Sequence, residues 1–123
     1  MSGNRIVCDT NTLVHLLGKN SDVTDFLRGK EISLSVITEL ELYAKQPLTE
    51  MEEAIIDVLI ESCFVIELTQ PIKQIVKQIR KKFRIKLPDA IIAATAIYLD
   101  IPLVTFDSDF EKIDELKLIL MKK

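Results

Sequence analysis

Pro88-Asp89-Ala90-Ile91-Ile92-Ala93-Ala94-Thr95-Ala96-Ile97 opens on a proline and is apolar nearly all round. Proline suits the first turn of a helix, and a helix with no polar face has to be enclosed by other elements. The stretch therefore predicts a deeply buried helix with one carboxylate, Asp89, at its start. On its C-terminal side, Pro102-Leu103-Val104-Thr105 reads as a strand, and residues 117–121 as a possible further one. On its N-terminal side, Pro71 begins another helix whose apolar stripe is Ile72, Ile75, Val76 and Ile79.

The rest of the chain repeats the alternation. Ile6-Val7-Cys8 is a short buried strand, after which Asn11 or Thr12 can cap a helix through Leu17 that Gly18 ends. Ser21 opens a second short helix carrying Val23, Phe26 and Leu27, stopped by Gly29. Residues 31–36 form a strand and residues 38–45 a helix closed by Pro47. Thr49 and Glu52 have capping-box spacing ahead of a helix with apolar positions Met51, Ala54, Ile55, Val58 and Leu59. Residues 64–68, rich in β-branched and aromatic side chains, make a third strand, and residues 109–113 a short helical turn. Strand and helix alternating throughout predict an α/β fold. We expect a three-layer α/β/α sandwich around a mainly parallel sheet of four or five strands, one domain over residues 1–123.

Composition bounds the function. No apolar run approaches the ~18 residues of a membrane span, and no signal-peptide pattern opens the chain. Cys8 and Cys63 each sit in an apolar stretch without a second ligand at metal spacing, as reduced core cysteines of a cytoplasmic protein do. His15, the only histidine, lies among leucines with no catalytic partner in view. The net charge of −3 argues against a broad basic surface for nucleic acid. Yet Lys73, Lys77, Arg80, Lys81, Lys82, Arg84 and Lys86 share one acid-free stretch. That stretch is either the solvated face of a helix or a positive flank that steers a polyanion.

Four acidic positions carry the chemistry. Asp9 follows the first strand, Glu41 or Glu39 lies on the helix after the second, Asp89 starts the buried helix, and Asp107 or Asp109 follows the fourth strand. Ligands of parallel α/β sheets bind beyond the C-terminal strand ends. Carboxylates gathered there repel unless a cation sits among them, and a divalent metal is the simplest one. Each acid has a plainer role open to it as a turn residue, a helix cap or a surface charge. Glu39 and Glu41 are about 200° apart around a helix, so only one can face a shared site. Asn11 and Thr38 could cap helices or orient the acids through hydrogen bonds.

Asp9-Thr10-Asn11, Thr38-x-x-Glu41, Leu87-Pro88-Asp89-Ala90-Ile91-Ile92-Ala93 and Leu103-Val104-Thr105-Phe106-Asp107-Ser108-Asp109-Phe110 occur in an order that resembles the PIN domain. Among its branches the chain is most similar to the VapC-type ribonuclease toxins of toxin–antitoxin modules. The resemblance covers nearly the whole chain. It selects Glu41 over Glu39 and implies Asp9, Glu41, Asp89 and Asp107 as the metal-binding acids. Asp109 enters as an auxiliary acid, with Asn11 and Thr38 as the polar residues that support the set. It further implies one or two Mg²⁺ or Mn²⁺ ions, hydrolysis of RNA, a cognate antitoxin and a homodimer. Such antitoxins lay an apolar helix along a groove; Leu13, Leu16, Leu17, Val23, Phe26 and Leu27 of the two short N-terminal helices could line it, with ordinary core packing the expected role for at least half of them.

Other readings fit these residues less well. A response-regulator receiver wants an acid pair near the end of its first strand, and a dehalogenase-like phosphatase wants an aspartate where Asn11 stands. A housekeeping RNA-processing nuclease or a non-catalytic interaction module of the same fold stays open.

Overall fold

The computed structural model describes residues 3–122. Among them the order is β1 (Arg5–Cys8), α1 (Thr10–Leu17), α2 (Ser21–Leu27), β2 (Glu31–Ser35), α3 (Val36–Leu42), α4 (Glu50–Glu61), β3 (Phe64–Ile66), α5 (Gln70–Lys82), α6 (Leu87–Leu99), β4 (Leu103–Thr105), a 3₁₀ turn (Ser108–Lys112) and β5 (Leu118–Leu120). The five strands form one sheet in the order β3-β2-β1-β4-β5, and every neighbouring pair is parallel.

Alternation along the strands splits the core into two layers. Val7 and Leu103 face α5 and α6, joining Ile72, Ile79, Ile92 and Phe110. Ile6, Cys8, Leu34 and Val104 face the other way, against Leu13, Val23, Leu27, Leu42 and Ile56. Residues 90–96 of α6 are all buried, as a helix apolar all round requires. The expected α/β/α sandwich is therefore the observed architecture, with the larger of the two strand numbers.

Three local expectations are corrected. Asp9 itself caps α1, accepting from the Thr12 amide, so neither Asn11 nor Thr12 is the cap. Ser35 caps α3, which starts two residues earlier than expected and leaves Thr38 fully buried inside it. In α4 the capping box of Thr49 and Glu52 is present, but the helix is rotated from its expected setting. Ile56 is its buried residue, while Met51, Ile55 and Val58 are exposed.

Sheet order places the functional edge. From β1 the chain builds outward through β2 to β3, then crosses back to add β4 and β5 on the other side. The reversal falls between β1 and β4, where such sheets open a crevice at their C-terminal ends. Asp9 and Asp107 follow those two strands.

Candidate metal centre

Asp9 is the most constrained of the acids and only 6% exposed. Its Oδ1 accepts from the Thr12 amide at 2.9 Å and from the Thr12 hydroxyl at 2.6 Å. Its Oδ2 accepts from the Thr105 hydroxyl at 2.5 Å. Thr105 Oγ1 in turn accepts the Asp107 amide at 3.0 Å, and Asp107 Oδ1 accepts the Asp109 amide at 2.9 Å. One threonine at the end of β4 thus ties the acid after β1 to the backbone of the acid after β4.

Glu41 comes from the opposite wall. Its Oε1 accepts the Thr10 hydroxyl at 2.5 Å, and Thr10 Oγ1 lies 3.3 Å from that of buried Thr38. Asp89 sits in the first turn of α6, half-buried. Burial pushes its carboxyl above the usual aspartate range, and the charges of Asp107, Asp9 and Glu41 push it further, against a smaller opposing pull from Lys86. Three carboxylates from three other segments therefore act on this one. That is the electrostatic signature of acids sharing a site.

Asp9, Glu41, Asp89 and Asp107 line one cavity of about 440 Å³, together with Thr10, Asn11, Val14, Ile92 and Phe110. Asn11 is exposed at its rim, and its side chain hydrogen-bonds none of the acids among the described residues. Thr38 lies behind Thr10 rather than on the cavity wall. Glu39 does not line the cavity. Asp109 lines an adjoining cavity of about 430 Å³ with Asp89, Asp107, Arg80, Arg84, Lys86 and Lys112. Asp107 combines two roles that the sequence divided between two residues: it caps the 3₁₀ turn and also faces the acids.

The donor set suits a hard cation, being carboxylate and hydroxyl oxygen with neither sulfur nor imidazole. Among the described residues no three such side chains already stand as a closed coordination cluster. The carboxylates of Asp9 and Glu41 are instead held on the cavity wall by threonines, and that of Asp107 by the Asp109 amide. An ionised carboxylate has about four acceptor positions, and Asp9 uses three of them on these donors.

Sequence reasoning missed Thr10 and Thr105 and gave Thr12 the wrong role. The spacing Asp9-x-x-Thr12 could have identified Thr12, since it places a hydroxyl at the third helical position beyond an aspartate cap. Thr105 has no such local signal.

The PIN domain family model matches residues 6–116, so this chain belongs to the PIN domain family. Among curated proteins, none is similar to it by sequence. Solved structures share its fold. One is a toxin–antitoxin complex from Klebsiella pneumoniae, with a TM-score of 0.83, 24% identity, and 96% of this chain and 99% of that chain covered. Another is VapBC from Salmonella typhimurium bound to DNA, with a TM-score of 0.82, 22% identity, and coverage of 94% and 96%. A third is VapBC2 from Rickettsia felis bound to a promoter DNA fragment, with a TM-score of 0.80, 21% identity, and coverage of 94% and 98%.

Proposed function

We propose that this protein is a metal-dependent endoribonuclease hydrolysing RNA phosphodiester bonds, the toxin of a cytoplasmic toxin–antitoxin pair. The observation that carries the reading is the gathering of Asp9, Glu41, Asp89 and Asp107 around one cavity, with Asp89 strained by the charges of the others. Those four acids would hold one or two Mg²⁺ or Mn²⁺ ions, with Asp109 as an auxiliary acid from the neighbouring wall. A divalent ion there supplies a nucleophilic water at neutral pH and neutralises charge on a phosphate.

The chain's own groups do the positioning. Thr12 and Thr105 fix both oxygens of Asp9, Thr10 fixes Glu41, and buried Thr38 supports Thr10. Burial and the neighbouring carboxylates disfavour the negative charge of Asp89. No step needs a protein nucleophile, in keeping with His15, whose ring is stacked on Phe106 and hydrogen-bonded to Asn20.

A toxin requires a restraining partner, and the neighbouring structures are complexes of that kind. Of the six residues that could line a groove for an apolar antitoxin helix, half are core residues, and Leu17 keeps a place on the surface that suits one. Leu13, Val23 and Leu27 are spent in the core. Val14, Leu17, Leu42, Leu48, Ile55 and Ile56 instead line an open groove of about 500 Å³ between α1, α3 and α4. A homodimer belongs to the same proposal. The test is direct: purified protein with Mn²⁺ cleaves RNA, and Asp9→Asn does not. Undiminished cleavage by Asp9→Asn, or in EDTA, would overturn the metal-centre reading.

A further inference from the structure

The acid cavity opens into positive ground on one side only. α5 ends in a basic turn, Arg80-Lys81-Lys82, and the chain then runs extended through Phe83. Phe83 and Ile85 pack onto the core, so the residues alternating with them, Arg84 and Lys86, are turned out to solvent. Lys112 donates to the Arg84 carbonyl, pinning this segment to the 3₁₀ turn that follows Asp107. Arg84 and Lys86 share a cavity wall with Asp89 and Asp107, and Arg80 and Arg84 continue into a further cavity of about 790 Å³ that Lys77 and Lys81 also line.

Lys82 is paired with Glu115 and Lys86 pulls weakly on Asp89, but the cations beside the acids are held in no ion pair. Among the described residues, Arg80, Arg84 and Lys86 form no ion pair, although three carboxylates line the same cavity. On the other side of the acids the groove wall is apolar, and its one cation, Lys45, is paired with Glu52.

We propose that Arg80, Arg84, Lys86 and Lys112 form a one-sided track for the backbone of single-stranded RNA, holding the substrate on a single side of the cut. The proposal rests on the nuclease reading for its substrate and adds a polarity that the acids alone do not give. Phe83 packs partly against the core and also lines the further cavity, and neither cations on phosphates nor an aromatic face distinguishes one base from another, so the track is tolerant of base sequence.

The test separates the two readings. A labelled, unstructured RNA is titrated with protein in EDTA across a salt series. Each phosphate contact on a single strand contributes ~0.7 to the log–log salt slope, so Arg84→Gln and Lys86→Gln should each lower it by about that amount and weaken binding several-fold. Arg84→Lys should keep the slope, and Arg28→Gln, just past the end of α2, should change nothing. With Mn²⁺ the loss should fall on KM rather than kcat. Lengthening the RNA beyond the mapped cut should lower KM in one direction only.

An Arg84→Gln/Lys86→Gln double variant with wild-type affinity and slope, in a protein that cleaves, sinks the track and leaves the nuclease standing. Equal benefit from extending either end sinks it too. RNA bound through these residues but never cut, with any divalent ion, supports the track and removes the nuclease. Neither binding nor cleavage overturns both.

Discussion

The two flanks of the acid cavity are built from different parts of the chain and by opposite means. The groove of α1, α3 and α4 offers apolar area, and the ionic pair at its wall is internally matched. The trough of α5, the following segment and the 3₁₀ turn offers Arg80, Arg84 and Lys86, which no ion pair engages among the described residues. Each flank shares residues with the acids: Val14 and Glu41 on the groove side, Asp89 and Asp107 on the trough side. Apolar area holds a partner tightly and is little affected by salt, whereas unmatched charge attracts a polyanion loosely and is screened by salt. On the proposed reading, a restraining partner and a substrate approach the same four carboxylates from opposite sides. Variants that act on one flank alone test that division.

The largest effect belongs to the acids that lie between the flanks. Asp89→Asn should reduce cleavage by more than the ~10–100-fold typical of losing a supporting contact to a metal ligand. The same change should raise the thermal midpoint of the metal-free protein at neutral pH. The raised pKa of Asp89 means that the folded chain holds its proton more tightly than the unfolded chain. The corresponding stability is fully present below the ordinary aspartate value and is lost as pH rises through the raised one. Asparagine carries no such charge, so its advantage should shrink as the pH is lowered. A neutral-pH melting scan in EDTA that shows Asp89→Asn no more stable than wild type would break the claim that the acids repel.

Next comes the tie between the strands. Thr105→Ala should cost activity by ~10–100-fold, as losses of residues that orient metal ligands do, and Thr105→Ser should restore most of it. The hydroxyl, not the volume, joins Asp9 to the Asp107 backbone. If serine is as poor as alanine, the role is packing.

On the groove side, Ile55→Asp places a charge on an apolar wall that a helix would cover. It should weaken the cognate antitoxin by ~30-fold or more, the scale of a central interface residue. RNA affinity in EDTA should be unchanged. A parallel loss of RNA binding, measured by the same salt titration, would show that the flanks are not independent.

Which of these features the sequence revealed follows from the range of the interaction. The buried setting of residues 90–96 and the strand at Ile6-Val7-Cys8 were legible because composition over one element decides them. The choice of Glu41 over Glu39 needed the family pattern, since either can face inward on an isolated helix. The rotation of α4 was not legible. That helix is apolar at Met51, Ala54, Ile55, Val58 and Leu59 but also at Ile56, Leu59 and Ile60, and only the sheet beneath it chooses the second set. Thr105 escaped notice because Leu103-Val104-Thr105 reads as an ordinary β-branched strand. Its partner, Asp9, is 96 residues away and is brought close only by the crossing back from β3 to β4.

The smallest effect concerns how the groove keeps its shape. α4 supplies Ile55 and Ile56 to the groove, and its N-terminus is fixed by the reciprocal bonds of Thr49 and Glu52. Thr49→Ala removes the side-chain half of that box and should cost about 1 kcal/mol of stability, read as a shift in the denaturant midpoint. Lys45 first, then the Thr49 backbone and hydroxyl, hold the Glu52 carboxyl down at about 2. A lowered pKa contributes stability above the ordinary glutamate range and loses it as pH falls toward the depressed value. Thr49→Ala removes the acceptor of the Glu52 amide, a bond with no titrating charge, so most of its penalty should persist in acid and only the part by which the Thr49 hydroxyl holds the Glu52 carboxyl down should be lost there. Because α4 walls the groove and takes no part in the trough, the same variant should loosen antitoxin binding modestly while the salt slope for RNA stays at its wild-type value. A change in that slope would mean that the two flanks communicate through the sheet.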